Sequence, residues 1–284
     1  LLPELISAKN FIVIGPPWKE MMGYEEFLSS HSSEEPEERH INDEDLFYLP
    51  MTSGTTGRPK QLICTYRIIC ADLFNLLLTL GIEHEDVGLW VCPPYWGRFV
   101  PWQTGPHFYM GSTVVIAKRL AHEIVLDAIQ RERVTVTILP SSFIASLLQY
   151  PSLDEYDLTS LRLVMLTGMS QPEDVIRAAV KKFGKIFSVM YGQAELSMIT
   201  YLSPEEMIFE GPVEKLKRLH SCGRDSAPLN VDVRVINDDG QDIVPGEVGE
   251  IVARGDHMMK GYLNMPKATE EKIKGGWLHT EDLA

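Results

Sequence analysis

The feature that most restricts this chain is an alternation of two apolar rhythms. Short β-prone runs at residues 47–51, 61–65, 88–92, 113–117, 134–139, 161–166 and 186–190 are interleaved with helix-like segments at 67–81, 122–132, 141–149 and 171–183. In the first of these segments, Ile68, Leu73, Leu76, Leu77 and Leu80 approximate a helical stripe. Strand and helix in alternation predict an α/β fold, with mostly parallel sheets, covering helices, and ligands at loops beyond the strands' carboxyl ends. From about residue 222 the helical segments thin out. Residues 231–236 and 250–253 read as strands around the turns NDDGQ and VPGEVG, which predicts a smaller β-rich subdomain near the C-terminal end. Residues 11–15 read as a buried strand, and SSHSSEEPEER at 29–39 as a solvated, mobile acidic connector. The expected division is an N-terminal remnant and connector at 1–41, an α/β nucleotide- and acyl-binding core at 42–221, and the β-rich subdomain at 222–284.

Charge and cysteine usage narrow the function classes. A net charge of -14 over 284 residues argues against nucleic acid, or an acidic membrane surface, as partner. An anionic ligand would need a local electropositive nest or a bound cation. The longest apolar stretches, such as residues 73–80, fall far short of the roughly 20 needed to span a membrane. Cys64, Cys70, Cys92 and Cys222 lack the paired spacing of a disulfide frame or a zinc site, so a reducing cytoplasmic location is expected.

Residues 51–60, MTSGTTGRPK, carry the most chemistry. Gly54 and Gly57 permit backbone angles at which successive N–H groups point at one anion. Thr52, Ser53, Thr55 and Thr56 add hydroxyl donors, and Lys60 adds a full positive charge. That combination suits a polyphosphate. A Walker loop needs four residues between its glycines and a Lys followed by Ser or Thr; here two residues separate the glycines, Pro59 precedes the lysine and Gln61 follows it. Pro59 biases Arg58 toward an extended conformation, so the loop is expected to join two strands.

TSGTTGRPK closely resembles the phosphate loop of the adenylate-forming (AMP-binding) superfamily, which includes acyl-CoA synthetases, adenylation domains of peptide synthetases, and luciferases. Three later segments extend the resemblance over about residues 45–284. YGQAE at 191–195 is similar to the family's Tyr-Gly-x-Thr-Glu segment. The resemblance implies that Tyr191 lies against adenine, that Gly192 belongs to the same nucleotide-binding segment, and that Glu195 helps hold magnesium; Ala194 stands where Thr is usual. Taken alone, a core tyrosine and a solvated glutamate would be the commoner reading. GEIVARGDHMMKGYLNMP at 249–266 resembles the family's Gly-Glu-Ile, Arg-Gly and Gly-Tyr stretch. GWLHTEDLA at 276–284 resembles its Gly-Trp-x-x-Thr-Gly-Asp segment, making Asp282 the ribose-binding carboxylate, with Glu281 in place of the customary glycine.

On the acid side, the resemblance implies a pocket formed by residues 92–99, 166–172 and the Tyr191 strand, with Trp96 near the gate and Gly168 and Met169 at the floor. Plain core packing is an equal alternative for Trp96 and Met169. Amino-acid-activating members carry an aspartate near Trp96, where this chain has Trp96, Gly97 and Arg98. A small carboxylic acid without an α-ammonium group is therefore the expected substrate. The implied chemistry is ATP- and Mg2+-dependent formation of an acyl-adenylate, with Lys60 and Glu195 central, followed by transfer to coenzyme A or a carrier-protein thiol. The alternative is a non-catalytic nucleotide or acyl-adenylate binding module. The family's hinge and small lysine-bearing C-terminal domain are not among these residues, so the chain is expected to be a fragment of the large N-terminal domain.

Overall fold

The computed structural model describes residues 11–16, 21–52, 59–91, 100–168, 172–210, 212, 216–225 and 230–284. The chain divides into two compact units, Leu1–Ile41 and Asn42–Ala284. In the first, β1 (Ile12–Val13) pairs in parallel with β2 (Met22–Gly23), and α1 (Tyr24–Ser29) follows. Residues 30–41 are exposed throughout and form neither helix nor strand.

The second unit opens with β3 (Leu46–Tyr48) and β4 (Cys64–Thr65), an antiparallel pair, followed by α2 (Tyr66–Leu80). Thr65 caps that helix by accepting a hydrogen bond from Ile68 N at 3.4 Å. Next come β5 (Val87–Trp90), a single π-helical turn (Val100–Thr104), α3 (Gly105–Met110) and β6 (Thr113–Ile116). Then α4 (His122–Glu132) and α5 (Ser141–Leu147) bracket β7 (Val136–Pro140). After these, α6 (Glu173–Phe183) lies between β8 (Leu163–Thr167) and β9 (Phe187–Gln193), and β10 (Ser197–Leu202) turns back on β9. The order in the six-stranded sheet is β10-β9-β8-β7-β5-β6, parallel throughout except for β10. The chain leaves β5 toward β6 on one side and leaves the neighbouring β7 toward β8 on the other, the reversal that opens a crevice at the carboxyl ends of such strands.

The apolar runs bury both faces of this sheet, as period-two alternation requires. In β8, Val164 and Leu166 join a core with Val125, Ile129, Phe143 and Ala179 from α4, α5 and α6. Leu163 and Met165 point to the other face, against Leu76, Leu80 and Trp102. That second core also receives Val231, Ala253 and Leu278 from a four-stranded sheet. Its strands are β11 (Val231–Ile236), β12 (Glu250–Gly255), β13 (Ile273–Lys274) and β14 (Trp277–Leu283), in the order β11-β12-β14-β13, all antiparallel. A short helix, α7 (Pro266–Lys272), precedes β13. The expected mixed α/β architecture, mostly parallel sheet and antiparallel β-rich region are all present. Expected element ends shift by up to three residues, and β2, β10, β13, β14, α1, α3 and α7 are additions; the strand expected to be buried at 11–15 is instead a two-residue strand beside open chain, with Ile12 and Ile14 exposed.

Candidate functional site

The site grows from two tight connections. The flanks of the glycine-rich loop form an antiparallel ladder, with Thr52 N donating to Lys60 O at 3.0 Å and Leu62 N to Pro50 O at 2.9 Å. The expected strand-to-strand loop is therefore what its base shows. Thr52 and Lys60 stand at that base, half-buried, whereas Ser53, Gly54, Thr55, Thr56 and Gly57 lie outside the described residues. Residues 260–263 run alongside: Ile63 N donates to Gly261 O at 2.9 Å, Lys260 N to Ile63 O at 3.0 Å, and Leu263 N to Gln61 O at 2.8 Å.

The second connection is the turn between β9 and β10. A Cβ on Gly192 would lie 1.7 Å from Ser197 O, so only glycine lets the two strands approach this closely. The turn sends Tyr191 and Gln193 toward β14 and Glu195 toward residues 259–262. Tyr191 Oη donates to Asp282 Oδ2 at 2.7 Å, and Gln193 Nε2 donates to the same oxygen at 2.8 Å and to Thr280 O at 2.7 Å. Asp282 Oδ1 carries no hydrogen bond from the described residues. On the other side, Met259 N donates to Glu195 O at 2.8 Å and Tyr262 Oη donates to Glu195 Oε1 at 2.7 Å. The Lys60 ammonium sits 4.7 Å from the centre of the Tyr262 ring. The 191–195 turn thus contacts Asp282 on one side and Tyr262 on the other, and Lys60 meets the Tyr262 ring.

Burial raises the phenols of both Tyr191 and Tyr262, and the hydrogen bonds they donate to Asp282 and Glu195 raise them further. Both remain hydroxyl donors at neutral pH. Glu281 adopts φ +65°, the left-handed angle a glycine would take there without strain. Its backbone N donates to Glu250 Oε1 at 3.0 Å and its side chain turns to Lys272 Nζ at 3.2 Å, so it keeps the backbone path that presents Asp282. Ala194 packs against the Leu62, Cys64 and Tyr262 cluster, an apolar use of the position where the family carries a hydroxyl. Gly168 follows β8 with φ +97° and open space where a Cβ would stand. Trp96 and Met169 lie outside the described residues.

Among the described residues, no group of three or more His, Cys, Asp and Glu side chains is placed to hold a metal. A single buried carboxylate, Glu195, fits magnesium, which binds through one or two protein carboxylates and completes its shell with phosphate and water oxygens. Sequence reasoning assigned no role to Gln193, Thr280 or Tyr262, although each lies in a segment that carried the resemblance. Gln193 bonds Thr280 and Asp282 across 87 and 89 residues, and Tyr262 bonds Glu195 across 67, beyond any local pattern.

The family profile for AMP-binding enzymes matches residues 5–263. The chain belongs to the AMP-binding enzyme family. Among relatives, it is 32% identical over 289 residues to a medium/long-chain-fatty-acid–CoA ligase of Mycobacterium tuberculosis, spanning 100% of this chain and 49% of that protein. It is 28% identical to an indoleacetate–CoA ligase of Aromatoleum aromaticum, spanning 99% of this chain and 53% of that protein. Two solved structures resemble the AMP-binding chain throughout. The amide bond synthetase of Marinactinospora thermotolerans has a TM-score of 0.84 at 26% identity, over 99% of this chain and 54% of that one. The O-succinylbenzoate coenzyme A synthetase of Bacillus subtilis, in complex with ATP and magnesium, has a TM-score of 0.78 at 29% identity, over 93% and 52%. The AMP-binding chain spans about half the length of the relatives it matches. No helix among the described residues is long and apolar enough to cross a membrane.

Proposed function

We propose that this AMP-binding chain supplies the nucleotide- and acid-binding part of an enzyme that activates a carboxylic acid with ATP and passes the acyl group to coenzyme A. The observation that carries this reading is the single turn at 191–195. It holds Tyr191 and Gln193 on Asp282 and sets Glu195 on the hydroxyl of Tyr262, the ring that Lys60 approaches. In the first step a carboxylate oxygen attacks the α-phosphorus, the bond to the bridging oxygen breaks, and pyrophosphate leaves. Such a reaction depends on alignment and charge neutralisation. Lys60, with Thr52, Ser53, Gly54, Thr55, Thr56 and Gly57, would hold the leaving phosphates. Tyr191 and Gly192 would line the adenine side, and Asp282 would accept hydrogen bonds from the ribose hydroxyls, one of them at Oδ1. Magnesium on Glu195 would supply a positive charge that offsets the phosphates in a chain whose overall charge repels them. In the second step a thiol sulfur attacks the acyl carbon and AMP departs.

The substrate we propose is an acid without an α-ammonium group, held near Trp96, Gly168 and Met169. The relatives that act on fatty acids and indoleacetate support that class. Residues 42–221 and 222–284 would be the binding core and its β-rich subdomain, in a cytoplasmic protein. The test uses the full-length protein: carboxylate-dependent exchange of pyrophosphate into ATP over a panel of acids, then acyl transfer to coenzyme A, a phosphopantetheinyl carrier or an amine. The amine arm answers to the amide bond synthetase likeness. Exchange with simple acids and transfer to coenzyme A is the expected result. No exchange with any acid, while ATP still binds, would leave a nucleotide-binding module instead.

A further inference from the structure

Tyr262 belongs to neither the glycine-rich loop nor the 191–195 turn, yet it touches both. It is 4% exposed, and Glu195 beneath it is 9% exposed. Its backbone pairs with Leu62, and its N–H donates to Thr269 Oγ1 at 2.9 Å. Its ring packs with Leu62, Cys64, Ile68, Ile69 and Met259. The ring is therefore fixed by its backbone pairing and its apolar neighbours, and two of its surfaces meet charged groups. The hydroxyl donates to Glu195 Oε1 at 2.7 Å, and the face receives the Lys60 ammonium at 4.7 Å from its centre.

We propose that Tyr262 is the positioning residue of the site: its hydroxyl aims the Glu195 carboxylate at the magnesium, and its ring steers Lys60 toward the phosphates. Outer partners that orient a metal-binding carboxylate typically change metal affinity by about ten- to a hundred-fold when removed. A cation is attracted to an aromatic face, so the Tyr262 ring fixes where the Lys60 amine sits. One rigid side chain thereby couples the cation and the carboxylate, which come from segments 135 residues apart in sequence, between Lys60 and Glu195.

This inference rests on the proposed nucleotide site, and two substitutions separate its parts. Tyr262→Phe removes only the hydroxyl; Tyr262→Leu removes the hydroxyl and the ring face. ATP binding to the full-length protein is measured by calorimetry, in magnesium and in EDTA, with unfolding midpoints taken alongside. Tyr262→Phe should lose about tenfold or more of the tightening that magnesium gives, with its affinity in EDTA unchanged. Tyr262→Leu should lose affinity in both conditions. Glu195→Gln should remove the same magnesium-dependent gain, and adding Tyr262→Phe to it should change nothing further. A Phe variant that keeps the wild-type magnesium gain, or losses that multiply in the double variant, would overturn the proposal. If the wild type binds no ATP at all, it is the proposed function that fails.

Discussion

Replacing Asp86 with asparagine should cost this chain about 2 kcal/mol at neutral pH, and the cost should shrink in acid. Asp86 ends the loop between α2 and β5, with its side chain 6% exposed. Arg162 Nε donates to its Oδ1 at 2.8 Å and Arg162 Nη2 to its Oδ2 at 2.5 Å. Thr135 Oγ1 and Glu83 N donate to it at 2.6 and 2.8 Å. The same guanidinium donates to Leu80 O and Gly81 O, tying the end of α2 to the amino-terminal ends of β5 and β8. Burial pushes the Asp86 carboxyl up, but the hydrogen bonds from Arg162, Thr135 and Glu83 together outweigh it and hold it at about 2, against an ordinary 3.8. That difference corresponds to roughly 2 kcal/mol. Arg162 is 40% exposed, so water partly replaces its lost partner, and the larger penalty of a fully buried pair does not apply. A carboxyl whose folded pKa is lowered contributes fully above its unfolded value and loses that contribution as pH falls toward the folded value. The gap between wild type and Asp86→Asn, read from urea unfolding, should therefore hold from pH 7 to pH 5 and fall to roughly half at pH 3. A gap that stays constant down to pH 3, or one below about 0.5 kcal/mol at pH 7, would refute the electrostatic reasoning.

Gly192→Ala should cost on the order of 3 kcal/mol or more and abolish ATP binding, because the atoms its Cβ would meet are backbone and cannot rotate aside; near-wild-type unfolding and binding would contradict this. Glu281→Gly should raise the unfolding free energy by under about 1 kcal/mol, since relief of the left-handed angle slightly exceeds the entropy that glycine adds to the unfolded chain. A clear loss in a denaturation curve would mean that the contact with Lys272 dominates. Gln103 is 6% exposed, and both its amide atoms lack a hydrogen-bond partner among the described residues. Gln103→Met should accordingly stabilise the chain by about 1 kcal/mol, and a lower melting temperature would reveal a bound partner for that amide.

Much of the fold was legible because its signals are local. Residues 163–166 alternate between two cores because successive side chains on a strand point to opposite faces, a rule that needs no tertiary knowledge. The helix at 122–132 was readable to the residue, and so was the strand at 231–236. The π-turn and short helix at 100–110 were not, because Pro101, Gly105 and Pro106 break any periodic pattern. For the proposed site, Lys60, Tyr191, Glu195 and Asp282 were singled out from the motifs that carry them; in the structure Tyr191 contacts Asp282, and Glu195 and Lys60 both contact Tyr262. Sequence by itself determined which chemical groups the chain possesses and which way each strand and helix faces, since both follow from residue type and short-range periodicity. Tertiary structure alone decided that Tyr262 bridges Glu195 and Lys60 and that Gln193 shares Asp282 with Tyr191, because these contacts join distant segments brought together only when the sheets close over a common core.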